Sequence, residues 1–492
     1  MKSASLPASR SQRWKDQAIH QLAWFHRWLG IATCVIFALW FASGAVLLFK
    51  PFPSLPQAAQ MGLQRQVDLT SVVISPDSAI DAAGGMASAL RLVQRGKGPA
   101  YVVDIGDKLV PVDARTGALL PFLTPDEARD IGSAALGKAG TTSAAFDYDQ
   151  WIVHNRFDPL RPFYRLDAND DQHTQLYLSA RTGEFVQRTT STDRAWNWVG
   201  AVLHWAYFTP IRSSFKVWDR TVWTVSFVAM LVAIAGTVLG VLRMITAQRQ
   251  HKPSLSFYRK RWMRWHHIFG LFVSFFMLTW ILSGWLSMDH GRLFSRGQAT
   301  PAQLANYRGT SLAPGLQSLT IPTVRALGIV SEVGFDIIAG EPQINARRPN
   351  GTTNLYRSDG RTLDQAALTN LVHRAVSQAW PNANVDAVTP VAPTDTYALA
   401  EGWPADTLKV TLAGVGQPAV YVDGKDGRLL TVMSESRAAY AWIYYALHTF
   451  NFPGLTTRPL LREILVMVTV FAGFLFSITG IVIGVQRLRR SI

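Results

Sequence analysis

The chain has 492 residues, 48% of them hydrophobic, and a formal net charge of +15. That length allows two or three domains. The single cysteine, Cys34, excludes a disulfide framework, a cysteine-ligated zinc or iron–sulfur centre, and covalent haem attachment through Cys-x-x-Cys-His. The basic balance alone suggests nucleic acid, but the positions of the charges argue for a membrane instead.

In chain order, residues 1–28 form a basic lead carrying Arg10, Arg13, Lys15 and Arg27. Residues 29–49 are the first of four apolar runs without a charged residue, each reaching the roughly 20 residues that span a bilayer. This run is too long for a signal peptide and no small-residue cleavage site follows it closely, so it reads as a retained anchor. Residues 50–220 are a polar segment, and residues 221–242 are the second run. The loop 243–267 carries Arg243, Arg249, Lys252, Arg259, Lys260, Arg261 and Arg264 and no acidic residue. Residues 268–288 are the third run, 289–463 a second polar segment, and 464–485 the fourth run. Residues 486–492 close the chain with Arg487, Arg489 and Arg490. If the spans alternate, the three basic segments share one side, which the positive-inside rule assigns to the cytoplasm. Both polar segments then lie in the periplasm.

The chain reads as two copies of one unit. His26, Gly30, Trp40 and Gly44 recur at equal spacing as His266, Gly270, Trp280 and Gly284. Tyr177, Gly183, Trp198, His204, Gly236 and Gly240 recur as Tyr421, Gly427, Trp442, His448, Gly480 and Gly484. Each copy is helix, periplasmic domain, helix, so the copies keep one orientation about an axis along the membrane normal. The polar segments read as α+β. Turns are expected at Asp113–Gly117, Ala180–Gly183, Ser358–Gly360 and Asp423–Gly427. Helices are expected over Pro125–Gly137 and Leu363–Ala379.

These motifs carry a resemblance. His-Arg-Trp-Leu-Gly opening a helix, Ser-Gly near its end, turns of the form Asp-x-x-Thr-Gly, and Leu-His before a returning helix resemble the PepSY-associated transmembrane family over nearly the whole chain. The resemblance implies an α-helical integral membrane protein: four transmembrane helices as a tandem repeat, with two α+β PepSY-like periplasmic domains. The family includes iron-regulated inner-membrane proteins and ferric-siderophore reductases that carry two b-type haems.

Of the 11 histidines, the repeat singles out four. His26 and His266 lie at one set of helix ends; His204 and His448 precede the returning helices on the other side. The hydrocarbon core is roughly 30 Å thick, so one iron pairs His26 with His266 or His204 with His448, never His26 with His204. The resemblance implies that these four are axial ligands of two b-type haems. The plain alternative is interfacial histidines kept in both copies by ancestry. His267 competes with His266, although the spacing to Gly270 favours His266. His20 and His290 lack a histidine in the other copy; His154, His173, His251 and His373 read as surface residues. Gly236-x-x-x-Gly240 and Gly480-x-x-x-Gly484 are helix-packing motifs that also leave room for a porphyrin face. Trp196, Trp198, Trp205, Tyr207, Trp442, Tyr444 and Tyr445 read as an interfacial belt. Arg27, Arg220, Arg264 and Arg462 are helix-end residues suited to haem propionates.

The resemblance implies an inner-membrane electron-transfer protein, an oxidoreductase that reduces a periplasmic ferric siderophore for iron release. Its partners would be that chelate, membrane lipid and an external electron donor, a quinol or a cytoplasmic reductase, with no nucleic acid. No nucleotide loop is present: Gly414-Val-Gly416 leads into Gln-Pro. An alternative is a non-enzymatic membrane protein that binds or inhibits a periplasmic peptidase. A siderophore transporter ranks last, because ionisable groups are missing from the four runs.

Overall fold

A computed structural model of the chain describes residues 10–106, 108–251, 254–414 and 416–490. Residues 1–9 of the basic lead, Lys252, Val415 and the last two residues lie outside the described residues, as do the side chains of Arg10, Arg13 and Lys15. The chain divides into two units.

The first unit comprises Met1–Phe52, Trp196–Leu293 and Tyr440–Ile492. It is built on four long helices: α1 (Arg10–Phe49), α2 (Phe215–Arg249), α3 (Arg261–Ser287) and α4 (Pro459–Leu488). All four are long and apolar enough to cross a membrane. α2 and α4 run past both ends of their apolar runs, and α1 and α3 past the start of theirs, because these flanks hold no internal proline to stop them. α1 stops at the Lys50-Pro51 step, α2 starts behind Ser214, whose hydroxyl accepts the Val217 amide, and α4 starts with proline in its first turn. α1 packs on α2 and α4, and α3 packs on the same two helices. Phe37 and Phe41, Ala229, Val232 and Ala233, Met277, Trp280 and Ile281, and Val466 and Val470 meet in the middle. Gly473 admits the Phe41 ring, and Gly484 lies against Ile31, so small residues set the close approach of α4 to α1. The outer face is apolar too: Phe272 and Phe275 are each 67% exposed and Val468 62%. Such a surface suits hydrocarbon solvent.

The second unit comprises Pro53–Ala195 and Phe294–Ala439. Its first segment supplies strands β1 (Ala89–Arg95), β2 (Gly98–Asp104), β3 (Leu109–Asp113), β4 (Thr141–Thr142), β5 (Phe163–Asp167), β6 (Gln175–Ser179) and β7 (Phe185–Thr189). Its second supplies β8 (Glu332–Ile338), β9 (Glu341–Arg347), β10 (Thr353–Arg357), β11 (Val385–Pro390), β12 (Leu408–Leu412), β13 (Ala419–Val422) and β14 (Leu429–Met433). Each segment makes one four-stranded antiparallel sheet, ordered β4-β5-β6-β7 and β11-β12-β13-β14. The other strands merge into one six-stranded sheet, β10-β9-β8-β1-β2-β3. Its central pair is antiparallel, with Arg91 opposite Gly334 and Leu90 and Leu92 opposite Phe335 and Val333.

A buried charge network closes this junction. Arg91 pairs with Glu184 and, at 2.8 Å, with Glu332; Arg347 pairs with Glu332 and, at 3.4 Å, with Asp426. Burial alone would raise the Glu332 carboxyl, but the Arg91 and Arg347 guanidiniums outweigh it and hold that carboxyl below its ordinary range. A second buried motif occurs in both segments. The Tyr177 hydroxyl donates to Asp149 and the Tyr421 hydroxyl to Asp395, both at 3.1 Å. Arg165 and Lys409 sit on the same carboxylates.

The expected helices form at Pro125–Leu136 and Gln365–Ala379. The first carries a Thr124–Glu127 capping box and ends at Gly137 with φ 66°; the second starts behind Asp364, whose carboxylate accepts the Ala367 amide. Ala180–Gly183 and Asp423–Gly427 turn between β6 and β7 and between β13 and β14. The stretch Tyr101–Leu120 differs from expectation. The strands reverse at Gly106, φ 93°, between β2 and β3, and Asp113–Gly117 then folds the chain back so that Leu119 bridges Val112.

Candidate functional site

α1 and α3 present His26 and His266 to each other across the bundle, ring centroids 6.5 Å apart and planes inclined at 37°. His26 Nδ1 lies 3.0 Å from the carbonyl oxygen of Val232 on α2. His266 Nδ1 lies 2.9 Å from the hydroxyl of Thr479 on α4. Glycine makes the approach possible. A Cβ on Gly236 would stand 2.6 Å from His26 Cε1, and one on Gly480 would stand 3.6 Å from His266 Cε1.

His448 ends a segment that leaves α-helical geometry, and His204 follows such a segment by two residues. Trp198–Val202 and Trp442–His448 are π-helical turns, packed on α1 and α3 respectively. Such turns add a residue per turn, re-aim side chains and recur at functional sites. The two rings face each other with centroids 6.4 Å apart and planes at 66°. The partners of the two Nδ1 atoms correspond. His204 Nδ1 has Ser43 Oγ at 3.1 Å and the Trp40 carbonyl at 3.2 Å; His448 Nδ1 has Ser283 Oγ at 3.1 Å and the Trp280 carbonyl at 3.2 Å. Ser43 gives its proton to the Leu39 carbonyl at 2.6 Å, and Ser283 gives its proton to Trp280, so each hydroxyl meets its histidine as an acceptor. The following residues, Gly44 and Gly284, have no Cβ where one would stand 3.3 Å from the histidine Cε1. Tyr444 stacks on His448 at 5.7 Å.

With Nδ1 engaged in all four rings, Nε2 carries the lone pair available to a metal. Each pair is a set of two imidazole nitrogen donors on facing rings. From His26 to Ser43, at a rise of about 1.5 Å per residue, the two pairs stand roughly 25 Å apart along α1. Among the described residues no group of three or more His, Cys, Asp or Glu side chains is placed to hold a metal ion.

The model of one family, the PepSY-associated TM region, matches residues 23–487, which takes in all four histidines. The chain belongs to this family. No curated protein matches it.

Within this family member, His267 is separated from His266 by its bonds. Its Nδ1 meets Ser256 Oγ at 3.0 Å and its Nε2 the Gly240 carbonyl at 2.8 Å, so both nitrogens are occupied and the ring is buried between α2 and α3. His290 pairs with Asp219 at 2.8 Å and packs on Trp223. His20, His173, His251 and His373 are exposed, whereas His154 is half-buried and its ring nitrogen accepts the Arg156 amide at 3.0 Å. Arg27, Arg220 and Arg264 are exposed, and Arg462 donates to Asn451 at 2.5 Å. Trp196, Trp198 and Trp442 are each about half exposed. Trp205 and Tyr207 instead pack together at 5.2 Å, with the Trp218 indole donating to the Trp205 carbonyl at 2.6 Å. Sequence reading had no signal for Val232 or Thr479. Ser43 and Ser283 stood in the recurring Ser-Gly pair, and that recurrence was the available signal.

Proposed function

We propose that this protein is a di-haem b electron-transfer protein of the bacterial inner membrane. It would carry electrons across the bilayer to reduce a periplasmic ferric siderophore for iron release. The supporting observation is the pair of facing imidazole sites at the two ends of one apolar bundle. Two imidazoles on opposite sides of one metal, each about 2.0 Å from it with its ring centre about 1.1 Å further on, have centroids roughly 6.2 Å apart. The observed 6.5 and 6.4 Å separations fit that arrangement. The glycines beside all four rings let each imidazole lie close against a neighbouring helix, which fixes where the rings stand.

His26 with His266, and His204 with His448, would hold the two haems. Haem held by these histidines would supply one-electron chemistry. The chain does the rest. Val232, Thr479, Ser43 and Ser283 fix the tautomers by accepting from Nδ1–H. Phe37, Phe41, Met277, Trp280 and Val470 keep water out of the span between the sites. Electrons enter at the His26/His266 end, from a quinol or a cytoplasmic reductase, and leave at the His204/His448 end. Converting Fe(III) to Fe(II) weakens hard-oxygen chelation and frees the iron. The tandem duplication, the cytoplasmic termini and the periplasmic position of the second unit belong to the same reading. They are supported by the recurring motifs and by the basic residues at one set of helix ends.

The test is the purified protein itself. A reducible b-type absorption spectrum and a pyridine haemochrome ratio of two haems per chain are expected. A colourless protein would overturn the reading and leave the non-enzymatic alternative, a membrane protein that binds or inhibits a periplasmic peptidase.

A further inference from the structure

The two histidine pairs differ in symmetry. Around His204 and His448 the hydroxyl and carbonyl distances and the glycine spacings are the same on both sides. Around His26 and His266 they are not. By the spacing that relates His204 to His448 and Gly236 to Gly480, Val232 corresponds to Phe476 and Ala235 to Thr479. His26 Nδ1 bonds directly to the Val232 carbonyl at 3.0 Å. His266 Nδ1 stops 2.9 Å from Thr479 Oγ1, and that hydroxyl lies 2.6 Å from the Phe476 carbonyl, the counterpart of Val232. A hydroxyl has one proton. Thr479 gives it to Phe476, so its oxygen accepts from His266 Nδ1–H. One side chain is thus inserted between a histidine and the carbonyl that its counterpart touches.

Two independent measures agree. The space a Cβ on Gly480 would occupy is 3.6 Å from His266 Cε1, against 2.6 Å for Gly236 and His26, so the first ring is held off its helix. The Phe476 ring also stacks on His266 at 4.6 Å and 16°, where the other copy has Val232.

We propose that Thr479 is the positioning residue that makes the two imidazoles of the His26/His266 site inequivalent and sets the reduction potential of that site apart from its partner. This rests on the di-haem reading. An amide carbonyl is intrinsically a stronger acceptor than an alcohol oxygen, even one polarised by donating its own proton to a neighbour. A stronger acceptor at Nδ1–H raises the donor strength of Nε2 and favours the oxidised metal. His26 is therefore the stronger ligand and His266, behind the Thr479 relay, the weaker.

The experiment is an optical potentiometric titration of the full-length haem-loaded protein, with low-spin EPR of the oxidised form as a second readout. The wave of this site is identified by its loss in His26→Ala. Thr479→Val removes the acceptor and leaves the His266 N–H facing a methyl group. That wave should move to higher potential, its EPR signal should change, and the second wave should stay. Thr479→Ser should restore both readouts. Thr479→Ala copies the other half of the chain and lets His266 close on the Phe476 carbonyl; the same wave should move to lower potential. This variant carries the test should Thr479→Val lose the haem. Unmoved waves, equal movement of both, or no restoration by serine would overturn the proposal while leaving two haems in place. Wild-type protein without haem would instead overturn the reading on which it rests.

Discussion

The two halves of the chain meet in two ways, and the contrast reflects the solvent on each side. In the second unit they meet at the β1–β8 pair, where backbone hydrogen bonds continue from strand to strand and Arg91, Glu184, Glu332, Arg347 and Asp426 satisfy one another. That junction is complete as it stands. In the bundle, α1 and α3 meet through the His26 and His266 rings, and the segments packed on them meet through the His204 and His448 rings. Apolar side chains gain little by leaving lipid for another helix, so small residues and specific polar contacts carry the association. A junction completed by charges resists change through electrostatics, and one built on facing rings depends on the side chains that position them.

The largest expected effect breaks the bundle junction and spares the sheet. His448→Ala should lower the haem ratio from two to one and bring ferric-chelate reduction to background. The measurements are a pyridine haemochrome assay and stopped-flow oxidation of the dithionite-reduced protein by a ferric siderophore, after excess dithionite is removed. His26→Ala should also lose one haem, yet its pre-reduced remaining haem should still react with the chelate. Two haems retained in both variants would mean that other residues are the ligands.

The converse change is Glu332→Gln. It leaves Arg91 and Arg347 without their shared buried carboxylate, and breaking one partner of such a network costs about 3–5 kcal/mol. Denaturant unfolding of the full chain should show an earlier transition for the second unit with the haem ratio unchanged. Equal stability would show that the junction is held by its backbone pairing alone.

Glycine substitutions sharpen the comparison inside the bundle. Gly236→Ala puts a methyl group 2.6 Å from His26 Cε1, an overpacking strain of about 1–3 kcal/mol that should weaken haem retention at that site. Gly480→Ala, with 3.6 Å available, should change retention little. Haem transfer to apomyoglobin measures both, and equal loss rates would contradict the asymmetry.

The smallest effect is a pH dependence confined to the sheet. Glu332 is held below its unfolded value of about 4.3. Its contribution is therefore fully present above that value and is lost as pH falls through the lower folded one. Hydrogen exchange of the β1 and β8 amides should accelerate in that acid window. Glu332→Gln, which does not titrate, should abolish the change.

Much of the architecture was legible in the residue order. The spans followed from uncharged apolar runs, the helix at Pro125 from Thr124 and Glu127, and the hairpins at Ala180 and Asp423 from their glycines. The reversal at Gly106 was missed because the alternation of apolar residues runs on through it and the Asp113–Gly117 turn offered a stronger signal. That His26 faces His266, and His204 faces His448, was legible because these residues recur at equal spacing.

What the sequence determined by itself was therefore local and periodic: span length, caps, turns and the spacing of repeated residues, all set by interactions a few positions apart. The pairing of β1 with β8, the Arg91–Glu332–Arg347 network, both nitrogens of His267 and the Thr479 relay join residues far apart in the chain. No local propensity encodes them. Each depends on which carbonyl, hydroxyl or ring stands within about 3 Å once the elements have packed, and hydrogen bonding is decided at that scale.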